Sequence, residues 1–296
     1  MRAAVIDLGT NTFNLLVFDK NRDEIKIIHK DRVPVNLGMG GINENKITLS
    51  AFKRGVDTIC FFNATCNHLN VTRVDAFGTS ALRGANNANA FISEIKKNTG
   101  ITVSIIDGSR EAELIYHGVK SVHNFTKKSC IMDIGGGSTE FIIADDNKIH
   151  ALESFDIGVS RIIQKFDLSD PLSQEDIKQL EVFLDDKTEG FFSTIQCDTL
   201  IGASGSFDTY YELIFNSVFT EERQSVLLTF SKLQDHLNQL IQSTQKMRNE
   251  NPKITDVRKN MIHVAAFKTR WVIQKLNVNE VWLSPASLKE GVMAEM

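Results

Sequence analysis

Two stretches of the chain follow the same pattern, and this repeat restricts the fold more than any other feature. "AAVIDLGTNTFNLLVFD" and "CIMDIGGGSTEFIIADD" each consist of an apolar run, a turn of small polar residues and a second apolar run. One constant offset aligns Asp7 with Asp133 and Gly9 with Gly135. Both stretches therefore predict β-hairpins whose tips are built from Gly, Thr, Ser and Asn.

A second pair of stretches repeats in the same order. "VDAFGTSALRG" and "DTLIGASGSFD" each predict a strand, a Gly/Ser-rich turn and the start of a helix. Two related halves follow, and alternating strands and helices predict α/β domains with sheets. We place the first domain at residues 1–122, joined by the C-terminal segment 285–296, and the second at residues 123–284.

Composition excludes some classes of protein. A formal net charge of −4 disfavours a nucleic-acid binder, which usually carries a basic excess. No apolar stretch approaches the roughly 18 residues of a membrane span, and the N-terminal apolar run is too short for a signal peptide. The four cysteines show no metal-ligand spacing, which favours reduced thiols. We therefore expect a cytoplasmic protein without a membrane or nucleic-acid partner.

The glycine-rich turns have two interpretations. Glycines at a hairpin tip satisfy a tight turn, but they also let backbone N–H groups approach a phosphate closely. Two such turns at equivalent places, together with two Gly/Ser turns that open helices, favour phosphate binding over a purely structural role.

Asp7 and Asp133 directly precede the two hairpin turns. A carboxylate beside a phosphate is repelled unless a cation intervenes, and Mg²⁺ binds through few carboxylates. The sequence thus predicts magnesium near Asp133, with Glu140 as a further carboxylate. The alternative is that Asp133 only hydrogen-bonds its own turn.

Arg83 and Glu111 each open a predicted helix. Arg83, one turn from a Gly/Ser loop, could contact phosphate or lie solvated at the surface. Glu111 could stabilise the helix start or act as a general base toward water. The pattern alone does not choose between Glu111 and Glu113. Further along, "SVLLTFSKLQDHLNQLIQSTQKM" predicts a helix.

The motifs together resemble a known family. "VIDLGTNTFNLLVFD", "GTSALRGANN", "IIDGSREAELIYHGV", "DIGGGSTEF" and "IGASGSFDTYYEL" are similar to those of the exopolyphosphatase / guanosine pentaphosphate phosphohydrolase (Ppx/GppA) family. The resemblance implies two ribonuclease-H-like domains around a central cleft, as in the actin, hexokinase and heat-shock ATPase superfamily.

The resemblance also implies roles for individual residues. Glu111 would be the water-activating base, Arg83 a cationic residue that contacts phosphate, and Asp133 and Glu140 the Mg²⁺ site. The implied phosphate-binding residues are Asp7, Gly9, Thr10, Asn11, Thr12, Gly135, Gly136, Gly137, Ser138 and Thr139, with Gly202, Ser204, Gly205 and Ser206 at a nucleotide-side loop.

The sequence departs from the family pattern in places. Arg110 replaces the first Glu of an acidic pair, and Lys289 stands where an Arg is usual. The chain resembles the short two-domain form, for which processive action on very long polyphosphate is not expected, and a homodimer is compatible with it.

The sequence therefore predicts a magnesium-dependent phosphohydrolase. Its substrate would be inorganic polyphosphate or a guanosine penta- or tetraphosphate. The alternatives are a non-catalytic sensor of these ligands and a small-molecule kinase of the same superfamily. Release of free phosphate without an acceptor would argue against the kinase, and tight binding without turnover would identify the sensor.

Overall fold

The computed structural model of the protein describes residues 1–21, 24–219 and 224–296. These residues divide into two compact units, the first formed by residues 1–111 with 295–296 and the second by residues 112–294. This division falls inside a helix, ahead of the boundary predicted after residue 122. The predicted domain bounds rest on the repeat rather than on compactness, and they stay a prediction.

The described residues contain eleven strands. They are β1 Arg2–Leu8, β2 Thr12–Asn21, β3 Glu24–Pro34, β4 Arg73–Gly78, β5 Val103–Ile105, β6 Ser129–Ile134, β7 Thr139–Ala144, β8 Ile149–Phe155, β9 Thr199–Gly202, β10 Val226–Leu228 and β11 Glu280–Leu283.

The same residues contain twelve α-helices. They are α1 Leu49–His68, α2 Ser80–Gly84, α3 Ala88–Thr99, α4 Gly108–Lys120, α5 Val159–Lys165, α6 Gln174–Lys187, α7 Gly205–Phe215, α8 Phe230–Ile241, α9 Gln245–Glu250, α10 Asp256–Lys259, α11 Ile262–Leu276 and α12 Leu288–Glu295.

The sheet of the first unit has the strand order β3-β2-β1-β4-β5 in the described residues. The strands β1, β2 and β3 form an antiparallel meander, whereas β4 and β5 run parallel to β1. Residues 3–6 of β1 are fully buried, which explains the continuous apolar run of this strand. The apolar side chains of the sheet and of α1 and α3 form one core.

The sheet of the second unit repeats this arrangement, with the order β10-β11-β9-β6-β7-β8 among the described residues. Its meander is β6, β7 and β8, and β9 and β11 run parallel to β6. The strand β10 is an antiparallel addition outside β11. A separate core surrounds this sheet. The predicted fold class, an α/β protein with two ribonuclease-H-like units, is confirmed.

One prediction of secondary structure is wrong in part. The helix predicted over "SVLLTFSKLQDHLNQLIQSTQKM" begins as strand β10, and the helical part is divided into α8 and α9. The apolar run at the start of that stretch pairs with β11 rather than continuing a helical stripe. Among the residues described, no helix is long and apolar enough to cross a membrane.

The sheet topology decides where functional side chains can gather within each unit. Parallel strands end at the same edge of a sheet, and ligands of open α/β sheets bind beyond those carboxyl ends. In the first unit, Leu8, Gly78 and Ile105 end neighbouring strands. In the second unit, Ile134, Gly202 and Leu283 occupy the corresponding positions.

Candidate active site

The glycine loop of the second unit, Gly135–Ser138, joins β6 to β7. Its carbonyl oxygens accept hydrogen bonds from the segment that opens α5. Gly135 accepts the amide of Val159 at 3.0 Å, Gly136 accepts that of Ser160 at 2.9 Å, and Gly137 accepts that of Gly158 at 3.1 Å. The loop is therefore held from one side by backbone donors.

This arrangement orients the amides of the loop. A trans peptide places C=O and N–H on opposite sides, so the N–H groups of Gly136, Gly137 and Ser138 point away from α5. The contact is close, because a Cβ atom on Gly158 would lie 2.3 Å from the carbonyl group of Gly136. Amides directed this way suit an anion such as phosphate.

The loop of the first unit, Gly9–Asn11, is built in the same way. The carbonyl oxygen of Thr10 accepts the amide of Gly38 at 3.1 Å, and that of Asn11 accepts the amide of Asn36 at 2.8 Å. The amides of Asn11 and Thr12 consequently point away from the backing segment. Both predicted phosphate loops thus have the same backbone construction.

A pair of side chains lies opposite one another at the base of each loop. In the first unit, the amide of Asn14 donates to the carboxylate of Asp7 at 2.9 Å. In the second unit, the carboxylates of Asp133 and Glu140 occupy the equivalent cross-strand positions. Like charges directly opposite one another are destabilising, so a bound cation would stabilise the second pair further.

The carboxylate pair fits a magnesium ion. Glu140 is 1% exposed and accepts the hydroxyl of Ser154 at 2.7 Å, and Asp133 accepts the hydroxyl of Ser287, which follows β11. These contacts orient both carboxylates, as donors around metal ligands usually do. Within the described residues, no cluster of three or more His, Cys, Asp or Glu is found. Mg²⁺ needs only one or two protein carboxylates, so a pair suffices.

Glu111 and Arg83 meet in the first unit. Nη1 of Arg83 lies 3.0 Å from Oε2 of Glu111 and donates also to the carbonyl of Ile106 at 3.1 Å. Glu111 is 8% exposed. The carboxylate of Asp107 accepts the amide of Arg110 at the start of α4. Asp107 thus caps the helix, while the Glu111 carboxylate is held by Arg83.

Of the predicted residues at the nucleotide-side loop, Gly202 ends β9, Ser204 lies in the turn that follows, and Gly205 and Ser206 begin α7. The guanidinium of Arg258 lies against Gly205, where an added Cβ would be 2.0 Å from Nη2. Arg258 donates to Asp208 at 3.1 Å and to Thr209 at 2.9 Å. The sequence interpretation gave no role to Arg258.

Lys268 in α11 is a second residue that sequence reasoning missed. It is fully buried and donates to the hydroxyl of Thr139 and, at 2.6 Å, to the carbonyl oxygen of Ile157. Burial lowers the pKa of its amine from 10.5 to about 7, a shift that the negative charge of Glu140 opposes. The hydroxyl of Thr139, a predicted phosphate-binding residue, is therefore directed to Lys268 in the protein interior.

The sequence matches the Ppx/GppA phosphatase family over residues 16–296. The chain belongs to this family. A Ppx/GppA relative from Photobacterium profundum, a guanosine-5'-triphosphate,3'-diphosphate pyrophosphatase, is 28% identical over 296 residues. A pyrophosphatase of the same name from Aeromonas salmonicida is 26% identical over 294 residues and covers 98% of this chain.

A solved Ppx/GppA-type structure is similar throughout. The exopolyphosphatase from Cytophaga hutchinsonii superposes with a TM-score of 0.95 at 36% identity, covering 99% of this chain and 96% of that one. The chain covers only 59% of the Photobacterium relative and 58% of the Aeromonas relative, although it is matched over 99% and 98% of its own length. The family predicted from the motifs is confirmed.

Proposed function

We propose that the protein is a magnesium-dependent phosphohydrolase that releases the terminal phosphate of inorganic polyphosphate or of a guanosine pentaphosphate. The names of its relatives support both substrate classes. The observation that carries the proposal is the buried Glu111 carboxylate, held by Arg83 at 3.0 Å at the carboxyl edge of the first sheet. A carboxylate fixed in this way can accept a proton from an attacking water.

In this mechanism Glu111 orients a water and takes its proton as the water oxygen bonds to the terminal phosphorus. The P–O bond to the rest of the polyphosphate or nucleotide breaks, and the terminal phosphate is released as free phosphate. Arg83 keeps the carboxylate in place, and its positive charge offsets charge that develops on the phosphoryl oxygens. The amides of each glycine loop are oriented to bind phosphate oxygens. Asp133 and Glu140 would hold Mg²⁺, which supplies positive charge toward the phosphate oxygens when it is bound.

Arg110 bears on the sensor alternative, because it replaces an acid next to the proposed base. Its guanidinium forms an ion pair with Glu295, a residue of the same unit. The Glu111 carboxylate has its own cationic partner in Arg83. The substitution at position 110 therefore leaves the arrangement of the proposed base intact, which favours the enzyme.

The test is magnesium-dependent phosphate release from short polyphosphate, long polyphosphate and guanosine pentaphosphate. Glu111→Gln keeps the shape of the side chain and removes the base, so kcat should fall roughly 10²–10⁴-fold. Glu113→Gln, which makes the same change two residues further along α4, is the matched control and should retain activity. Equal losses in both variants, or no turnover in the wild type with intact binding, would overturn the assignment.

The ranking of the three substrates would give the physiological class. A cytoplasmic location, expected from the sequence, and a homodimer, with which the sequence is compatible, stay predictions.

A further inference from the structure

Lys268 occupies a position where burial of a lysine costs free energy. Its side chain is 0% exposed in the middle of α11, and fully buried lysines are rare unless they are paired. Lys275 on the same helix is 40% exposed and pairs with Asp185, as surface lysines commonly do. The burial of Lys268 therefore calls for a local explanation, and its two acceptors provide one.

The two acceptors of the Lys268 amine flank the second glycine loop. Thr139 directly follows the loop as the first residue of β7. Ile157 directly precedes Gly158, whose amide is the first of those that hold the loop carbonyls. The amine of Lys268 thus joins the end of the loop to the segment whose amides hold the loop carbonyls.

The same contact determines where Glu140 is directed. Successive side chains of a strand point to opposite faces of the sheet. The hydroxyl of Thr139 meets Lys268 on one face, so Glu140 is presented on the other face, where it is paired across the strands with Asp133. Any shift or rotation of β7 at Thr139 would move the Glu140 carboxylate as well.

We infer that Lys268 is the positioning residue of the second phosphate loop, since it ties Thr139 to Ile157 and so fixes the loop amides and Glu140 toward a magnesium-bound phosphate. This inference rests on the proposed function of the loop. Lys268 does not touch the ligand, because its amine is directed to Thr139 and Ile157 in the interior.

The experiment compares Lys268→Met with Lys275→Met, a matched substitution on the same helix. The affinity for inorganic phosphate is measured by calorimetry in the presence of Mg²⁺, alongside kcat, KM and the thermal midpoint. Lys268→Met should weaken phosphate binding at least about tenfold, as loss of an orienting contact does, and should raise KM more than it lowers kcat. Lys275→Met should bind as the wild type does.

Thr139→Val removes the hydroxyl from the other side of the same bond and preserves shape. It should also weaken phosphate binding, and it should add nothing in the Lys268→Met background, because both changes break one contact. If Lys268→Met does not fold, Thr139→Val still tests the contact. Additive effects of the two substitutions would mean that Thr139 binds phosphate itself, which would overturn the inference.

If Lys268→Met lowers the thermal midpoint and leaves the phosphate affinity unchanged, Lys268 only stabilises the core, and the inference is overturned. Absence of phosphate binding by the wild type would also overturn it. Failure of the proposed function is a different result: the wild type would bind phosphate without turnover, and the affinities of the variants would still decide the role of Lys268.

Discussion

The loops Gly9–Asn11 and Gly135–Ser138 share their backbone construction and differ in the side chains beneath them. Each loop turns its carbonyl oxygens to a backing segment and its amides to the opposite side. Below the first loop lie a carboxylate and an amide that hydrogen-bond to each other, whereas below the second lie two carboxylates. In the proposed function each copy of the duplicated frame binds phosphate, and of these two described pairs the second is the one with two carboxylates for a metal ion.

The acids in the first turns of α4 and α12, the helices that follow β5 and β11, also differ between the two units. Glu290 in the first turn of α12 accepts the amide of Ser287 at 3.0 Å, so it caps its own helix. At the start of α4 this task falls to Asp107, and Glu111 is held by Arg83 instead. In the first unit, capping of the helix and the proposed role as a base therefore fall to two different acids, Asp107 and Glu111.

Among the changes that compare the two loops, the largest effect is expected from Glu140→Gln, which makes the second pair resemble the first. The amide is a poorer ligand for Mg²⁺, so the magnesium concentration for half-maximal activity should rise by at least roughly 10–100-fold. The converse change, Asn14→Asp, places a carboxylate opposite Asp7, and Nε of Arg32, which donates to Oδ1 of Asn14 at 3.3 Å, offsets part of the repulsion. Stability should fall by no more than about 1 kcal/mol, and the magnesium requirement should stay unchanged. An unaltered magnesium titration in Glu140→Gln would remove the distinction between the loops.

Gly158→Ala should be nearly as damaging. The added Cβ would lie 2.3 Å from the carbonyl group of Gly136, which belongs to the backbone and cannot rotate away. We expect a loss of roughly 1–3 kcal/mol in urea denaturation and a raised KM. Behind the first loop, the Cβ atom added by Gly38→Ala would lie 2.6 Å from the methyl group of Thr10. A side chain can move aside more easily than the backbone can. A smaller cost for Gly158→Ala than for Gly38→Ala would contradict this account.

A pH series tests the buried amine behind the second loop. The pKa of Lys268 falls to about 7 in the folded protein, against 10.5 as its ordinary value. Between these values the unfolded chain binds the extra proton, so stability rises with pH across this window and is lost as pH falls toward 7. From pH 7.5 to 9.5 the wild type should gain up to about 2 kcal/mol relative to Lys268→Met.

Urea titrations of both proteins at the two pH values would measure this difference. Parallel changes in the two proteins would show that Lys268 carries its ordinary charge when folded.

A small effect, on stability alone, is expected from Glu290→Gln. Loss of the Glu290 carboxylate weakens the cap of α12 and should lower the free energy of unfolding by about 1 kcal/mol, with kcat unchanged. The measurement pairs thermal unfolding with the phosphate-release assay. A fall in kcat comparable to that of Glu111→Gln would show that both units contribute acids to the chemistry.

The placement of the two loops could be predicted because one offset aligns both hairpins. The shared offset of Asp7 and Asp133 placed both hairpins in register, and the structure pairs the strands as expected. Arg83 and Glu111 were each singled out, but their ion pair was not foreseen. They lie 28 residues apart, and sequence does not give the direction of two side chains on different helices.

Lys268 was missed because its acceptor Thr139 lies 129 residues away, and a lysine in a helix usually indicates a solvated face. A signal was nevertheless present. The residues three and four positions on either side of it, Ala265, Val264, Trp271 and Val272, are all apolar, so helical periodicity places Lys268 on the buried stripe.

The hydrogen bonds that turn the loop carbonyls inward have a consequence for substrate choice. A phosphate recognised by main-chain amides is recognised without reference to what it is attached to, since these groups are the same in every residue. In the proposed function the loops would therefore accept the end of a polyphosphate chain and that of a nucleotide equally well. Discrimination between the two substrates would then come from residues that contact the remainder of the molecule, without any change in the loops.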